Sequence, residues 1–144
     1  CTELTGIRQE DVDEAPRYGD AMQQLDEWMA QRRGIWGSWG NFDHRLFASM
    51  EQRYENNSRF LSIAHVNLKR PWKQTTGARR TALRAALEYH GLAFSGNPHR
   101  GIDDARNIAR LMRYIDHHKL LASLGALGVI TNGQTDMDKG ESAR

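Results

Sequence analysis

Two carboxylates and an imidazole stand where they could do chemistry. "NPHRGIDDARN", Asn97 to Asn107, sets His99 five residues ahead of Asp104, with a glycine between them. "SWGNFD", Ser38 to Asp43, ends on another acid just after a glycine-containing turn. Inward carboxylates suit a hard divalent cation such as Mg²⁺. A neutral imidazole beside them suits removal of a proton from water.

The elements that would carry these groups follow from periodicity. Residues 103–118 read as a helix whose apolar stripe is Ile108, Leu111, Met112 and Ile115. At about 100° per residue, Asp104 lies in line with that stripe, and its neighbour Asp103 falls beside Asn107, Arg110 and Tyr114. Asp103 is therefore expected to face solvent as a cap, and Asp104 to point inward. Asp43 repeats the inward placement, with Leu46, Phe47, Met50 and Tyr54 following at helical spacing. The plain alternative is that both acids are satisfied by first-turn amides and that His99 is a solvated loop residue.

Further elements are expected around these: a helix from about Gly19 to Arg33, a strand over Ile35–Trp39, a helix over Phe42–Glu55 and a strand over Ser62–Lys69. A loop between Pro71 and Gly77, a helix over Arg79–His90 stopped by Gly91, and a loop over 92–102 complete the set. His117 and His118 read as a frayed helix end, and the chain beyond Asn132 as disordered or loosely packed. Strands alternating with helices indicate an α/β layer architecture.

Composition narrows the class. The 144 residues suffice for one domain, and the net charge of +2 creates no global basic field. A single cysteine excludes an intrachain disulfide and thiolate-rich zinc sites. No run of about 18 apolar residues exists, so neither a transmembrane helix nor a membrane partner is expected.

Together, "LTGI" (Leu4 to Ile7), "SWGNFD" and "PHRGIDDARNIARL" resemble the DEDDh-type 3′-to-5′ exonucleases. Within that family they are most similar to the enhanced-RNAi and histone-mRNA 3′-end exonucleases and the bacterial KapD-like proteins. The resemblance covers roughly residues 1–118. It implies an RNase H-like fold, a mixed sheet flanked by helices, with four acids and a histidine around two Mg²⁺ (or Mn²⁺) ions. It places metal ligands at Asp43 and Asp104 and the general base at His99. Leu4, Thr5, Gly6 and Ile7 would line the terminal-nucleotide pocket, and His99 would also face substrate. A turn packed into the core is the alternative for that segment.

The implied activity is stepwise hydrolysis of a single-stranded RNA or DNA 3′ end, RNA favoured, to nucleoside 5′-monophosphates. The expected location is the cytoplasm. The family's first two acids form an Asp-X-Glu motif on its first strand, and no Asp-X-Glu occurs in these 144 residues. The expectation is an N-terminally truncated exonuclease domain over 1–119 followed by a tail over 120–144, inactive as it stands. The alternatives are a non-catalytic nucleic-acid-binding remnant of the fold, or an unrelated small α/β protein whose acids are caps.

Six basic residues and no acid lie between Lys69 and Arg84 (Lys69, Arg70, Lys73, Arg79, Arg80 and Arg84), with Trp72 among them. Phosphate contact with stacking on Trp72 is one reading, and a solvated face is the other. Trp36, Trp39 and Phe42, near Asp43, could stack on a base, but strand aromatics normally pack, so they are expected in the core.

Overall fold

A computed structural model describes residues 2–32 and 34–126. The helices are α1 (Thr2–Thr5), α2 (Tyr18–Ala30), α3 (Phe42–Arg53), α4 (Lys69–Thr76), α5 (Leu83–Tyr89), α6 (Gly101–Leu111) and α7 (His117–Gly125). Short 3₁₀ turns cover Gln9–Asp11, Phe60–Ser62 and Met112–Tyr114. Among the described residues there is one sheet, of two parallel strands, β1 (Trp36–Ser38) and β2 (His65–Asn67), registered Trp36 to His65 and Ser38 to Asn67. Parallel strands need a crossover, and α3 supplies it. Gly37 lets the strands close up, since a Cβ there would stand 3.0–3.1 Å from Leu68 and Val66. No described helix is long and apolar enough to cross a membrane.

The core gathers Val66 and Leu68 around β2, Trp72 of α4, Ala86 and Leu87 of α5, Leu111 of α6 and Ile115. Trp72 is fully buried, so its ring packs this core and does not stack on a base. Its indole Nε1 donates to His90 Nε2 at 3.0 Å, and the His90 ring stacks on Tyr114 with centroids 3.9 Å apart. A buried indole N–H needs such a partner.

That bond makes the neutral form of His90 the structural one. Burial pushes its pKa below the usual imidazole range. The unfolded chain therefore binds the proton first. The contribution of His90 to stability is complete above the unfolded pKa of about 6.5 and is lost as pH falls below it. Thermal unfolding should show a lower midpoint at pH 5.5 than at pH 7.5. His90→Gln should flatten that slope, and an unchanged slope would assign it to other groups.

Three sequence expectations change here. The segment between Pro71 and Gly77 is helical, because Pro71 occupies the third helical position, where the amide has no intrahelical acceptor. Gly77, at φ 67°, ends that helix by donating its amide to Lys73 O. The helix expected over 103–118 breaks after Leu111, and His117 and His118 open α7 behind the N-cap Asp116, whose carboxylate accepts from Lys119 N at 3.0 Å. Since α7 packs on α4 and brings Leu120 and Leu124 to the core, it crosses the boundary expected at 119. The reading of the chain beyond Asn132 lies outside the described residues.

A buried acid, Glu51 of α3, anchors the α2–α3 side. It accepts from Tyr18 Oη (2.8 Å), Asn56 Nδ2 (2.8 Å) and Ser58 N (2.6 Å). Burial acts to raise its pKa, but these donors prevail and hold it below the usual carboxylate range. Burial, with the Glu51 bond adding, pushes Tyr18 up to about 12. Glu51→Ala would orphan three donors and should cost about 3 kcal/mol in urea unfolding, with Glu51→Gln costing less. Equal stability of wild type and Glu51→Ala would refute the anchoring role.

Candidate active site

Helix α6 and the loop before it form one built unit. Arg100 is the N-cap, and its carbonyl accepts Asp103 N at 2.8 Å and Asp104 N at 3.0 Å. Asn107 is fully buried. Its Nδ2 donates to Ser95 O and Asp103 O, both at 2.8 Å, while its Oδ1 accepts Ser95 N at 3.1 Å. Asp103 Oδ2 accepts Asn97 N at 3.0 Å, and Arg106 stands 3.4 Å from Oδ1. Gly96 is required beneath this carboxylate: its φ is +86°, and a Cβ there would lie 2.5 Å from Asp103 Cγ.

The solvent-facing expectation for Asp103 is thus corrected. The 95–100 loop folds back over that face of the helix and covers Asp103 and Asn107, which periodicity within the helix alone does not reveal. Asp104 is half-buried, less inward than the wheel suggested. Its carboxylate accepts no hydrogen bond and joins no ion pair among the described residues.

His99 directly precedes the N-cap. It is exposed, makes no hydrogen bond among the described residues and adopts φ 67°, a left-handed conformation unusual for a non-glycine residue.

Asp43, in the first turn of α3, is exposed, contrary to the inward placement expected for it. Phe42 beside it is 66% exposed rather than in the core, and Leu46 of the same helix and its C-cap Tyr54 are also exposed. The apolar stripe of α3 is real, but only part of it is covered among the described residues. Trp36 and Trp39 do pack inward: Trp39 Nε1 donates to Thr81 O at 2.8 Å. Asp43 accepts no hydrogen bond, although its charge reaches His65. Asp43 and Asp104, whose carboxylates accept no hydrogen bond among the described residues, fit metal ligands by their chemistry. Among the described residues, however, no three His, Cys, Asp or Glu side chains gather into a metal-holding group.

Leu4 and Ile7 flank the end of α1 and are exposed, not packed in a core turn. Gly6 follows α1 at φ +70°, with open space around its Cα. Thr5 Oγ1 accepts Ile7 N at 3.2 Å.

One feature was invisible at the level of motifs. The rings of Trp36, His44 and His65 form a cluster, with His44 and His65 stacked at 5.0 Å and Trp36 4.3 Å from His65. His65 Nε2 lies 2.8 Å from Ser38 Oγ. Burial, together with the nearby His44, lowers the His65 pKa, and Asp43 partly opposes this. His44 follows Asp43 directly in sequence, but only strand pairing brings His65 to it.

Comparison with known proteins shows the family. The RNase_T exonuclease family matches residues 1–112. The chain is 27% identical to the 3′-5′ exonuclease eri1 of Schizosaccharomyces pombe, across 78% of this chain and 48% of that protein. It is 31% identical to ERI1 exoribonuclease 3 of Homo sapiens, across 78% of this chain and 36% of that one. The chain thus spans a third to a half of these relatives. The crystal structure of the nuclease domain of 3′hExo, a DEDDh family member bound to rAMP, superposes with a TM-score of 0.70 at 26% identity, covering 77% of this chain and 60% of that one. The short parallel sheet and its crossover helix are thus part of an RNase H-like exonuclease fold, and the chain belongs to the DEDDh family of 3′-5′ exonucleases.

Proposed function

We propose that the protein to which these residues belong is a metal-dependent exonuclease that shortens single-stranded RNA from its 3′ end, releasing nucleoside 5′-monophosphates. The observation that carries this is the division of labour in "HRGIDDARN". Asp103 is consumed in holding the loop, whereas Asp104 and His99 have no hydrogen-bond or ion-pair partner among the described residues. A carboxylate half-buried at a helix start without a hydrogen bond is a natural cation ligand. Asp43, exposed in the first turn of α3, likewise accepts no hydrogen bond among the described residues.

In this reading Asp43 and Asp104 hold divalent cations, Mg²⁺ or Mn²⁺, in a two-ion centre. The cations would supply charge stabilisation for the attacking and leaving oxygens of the phosphodiester. His99 takes the proton of the attacking water. Leu4 and Ile7 press on the terminal nucleotide, and Gly6 leaves room for its close approach. Of the four acids that such a centre takes, residues 1–144 supply Asp43 and Asp104, so this stretch by itself should not hydrolyse RNA. The relatives' printed names, exoribonucleases and a nuclease domain bound to rAMP, favour RNA over DNA.

The test is an RNA labelled on its 3′-terminal nucleotide, incubated with full-length protein and Mg²⁺. Release of labelled nucleoside 5′-monophosphate, stopped by EDTA, is expected. Internal cuts, or release insensitive to EDTA, would contradict the reading.

A further inference from the structure

A cavity of about 690 Å³ opens between the first turn of α3, the outer side of β2, α4 and the last turn of α7. Its wall carries Arg45 and Arg70 together with the amides of Asn41, Asn67 and Gln74, and no carboxylate. Neither guanidinium forms an ion pair or hydrogen bond among the described residues. Others in the chain do: Arg106 meets Asp103, and Arg110 binds Ala93 O and Asn107. Asn67 Oδ1 is already taken by Lys69 N at 3.2 Å, which leaves its Nδ2 as a donor. Unengaged amide donors beside two positive charges, with no carboxylate on the same wall, are complementary to an oxyanion.

We propose that this cavity is a phosphate-binding subsite, with Arg45 and Arg70 as its charged ligands, distinct from Asp104 and His99. It joins the "SWGNFD" segment to the "NLKR" segment through Asn41 and Arg45 on one side and Asn67 and Arg70 on the other. The phosphate can belong to a polynucleotide strand or to a free nucleotide. The phosphate class follows from the wall alone. Assignment to a strand rests on the exonuclease reading.

The experiment measures binding of inorganic phosphate, AMP and a single-stranded RNA dodecamer to the full chain, across a salt series. Wild type is compared with the Arg45→Ala/Arg70→Ala and Arg45→Lys/Arg70→Lys double variants. Both arginines are exposed, so neither double variant threatens folding. For a strand, the alanine pair should weaken RNA binding and reduce the slope of log K against log salt by about 1.4, two single-strand contacts at about 0.7 each. The lysine pair should keep most of that slope. For a free nucleotide, AMP and phosphate binding should be lost in the alanine pair while RNA binding stands. If no ligand's binding changes in the alanine pair, the subsite does not exist. If phosphate binding is lost in that pair but wild type never binds RNA, the subsite stands and the exonuclease reading fails separately.

Discussion

His99→Gly should reduce hydrolysis by full-length protein about 10²- to 10⁴-fold, the usual contribution of a positioned acid–base group, without lowering its stability. The two halves of this result have separate causes. His99 sits at φ 67°, where a Cβ is strained and glycine is not. The side chain makes no hydrogen bond among the described residues, so its loss removes none. A residue kept in a strained conformation for packing would destabilise when replaced, whereas one kept for chemistry would not. Urea unfolding and RNA hydrolysis, measured on the same preparation, separate these cases. A variant that unfolds earlier and cleaves normally would make His99 a structural loop residue.

The adjacent aspartates should respond in opposite ways. Asp104→Asn is isosteric and breaks no protein hydrogen bond, so the fold should be unaffected. Hydrolysis should fall at least about 100-fold, because even outer partners of metal ligands are worth 10- to 100-fold. Asp103→Ala removes the acceptor for Asn97 N and the partner of Arg106. It should cost about 1 kcal/mol of stability, the usual net worth of such a hydrogen bond. Its effect on activity would be indirect, through a looser 95–100 loop. Equal effects of the two substitutions on stability and turnover would remove the distinction between them.

What the sequence revealed was local. The 3.6-residue period located α2 and α3 to within about three residues, α5 to within about four and the start of α6 to within two, and Gly91 stopped α5 as its type suggests. The wheel separated Asp103 from Asp104 correctly in angle but not in environment. Which face of α6 is covered depends on a loop that folds back through Asn107 and Gly96, and no helical period encodes that. The α4 segment was misread because Pro71 usually breaks helices, and only its third-position placement makes it compatible with one. The α6–α7 break turned on Asp116, an N-cap hidden inside an otherwise continuous helical pattern. The cavity with Arg45 and Arg70 required tertiary structure, since its wall draws on four separate elements.

The central claim is that Asp43 and Asp104, 61 positions apart in sequence and on different helices, ligate one metal centre. Its most direct test is Mn²⁺ binding to full-length protein followed by electron paramagnetic resonance, comparing wild type with Asp43→Asn and Asp104→Asn. The account predicts that each substitution alone weakens Mn²⁺ binding, with the double variant losing less than the two single losses combined. Unchanged Mn²⁺ affinity in either single variant would contradict it.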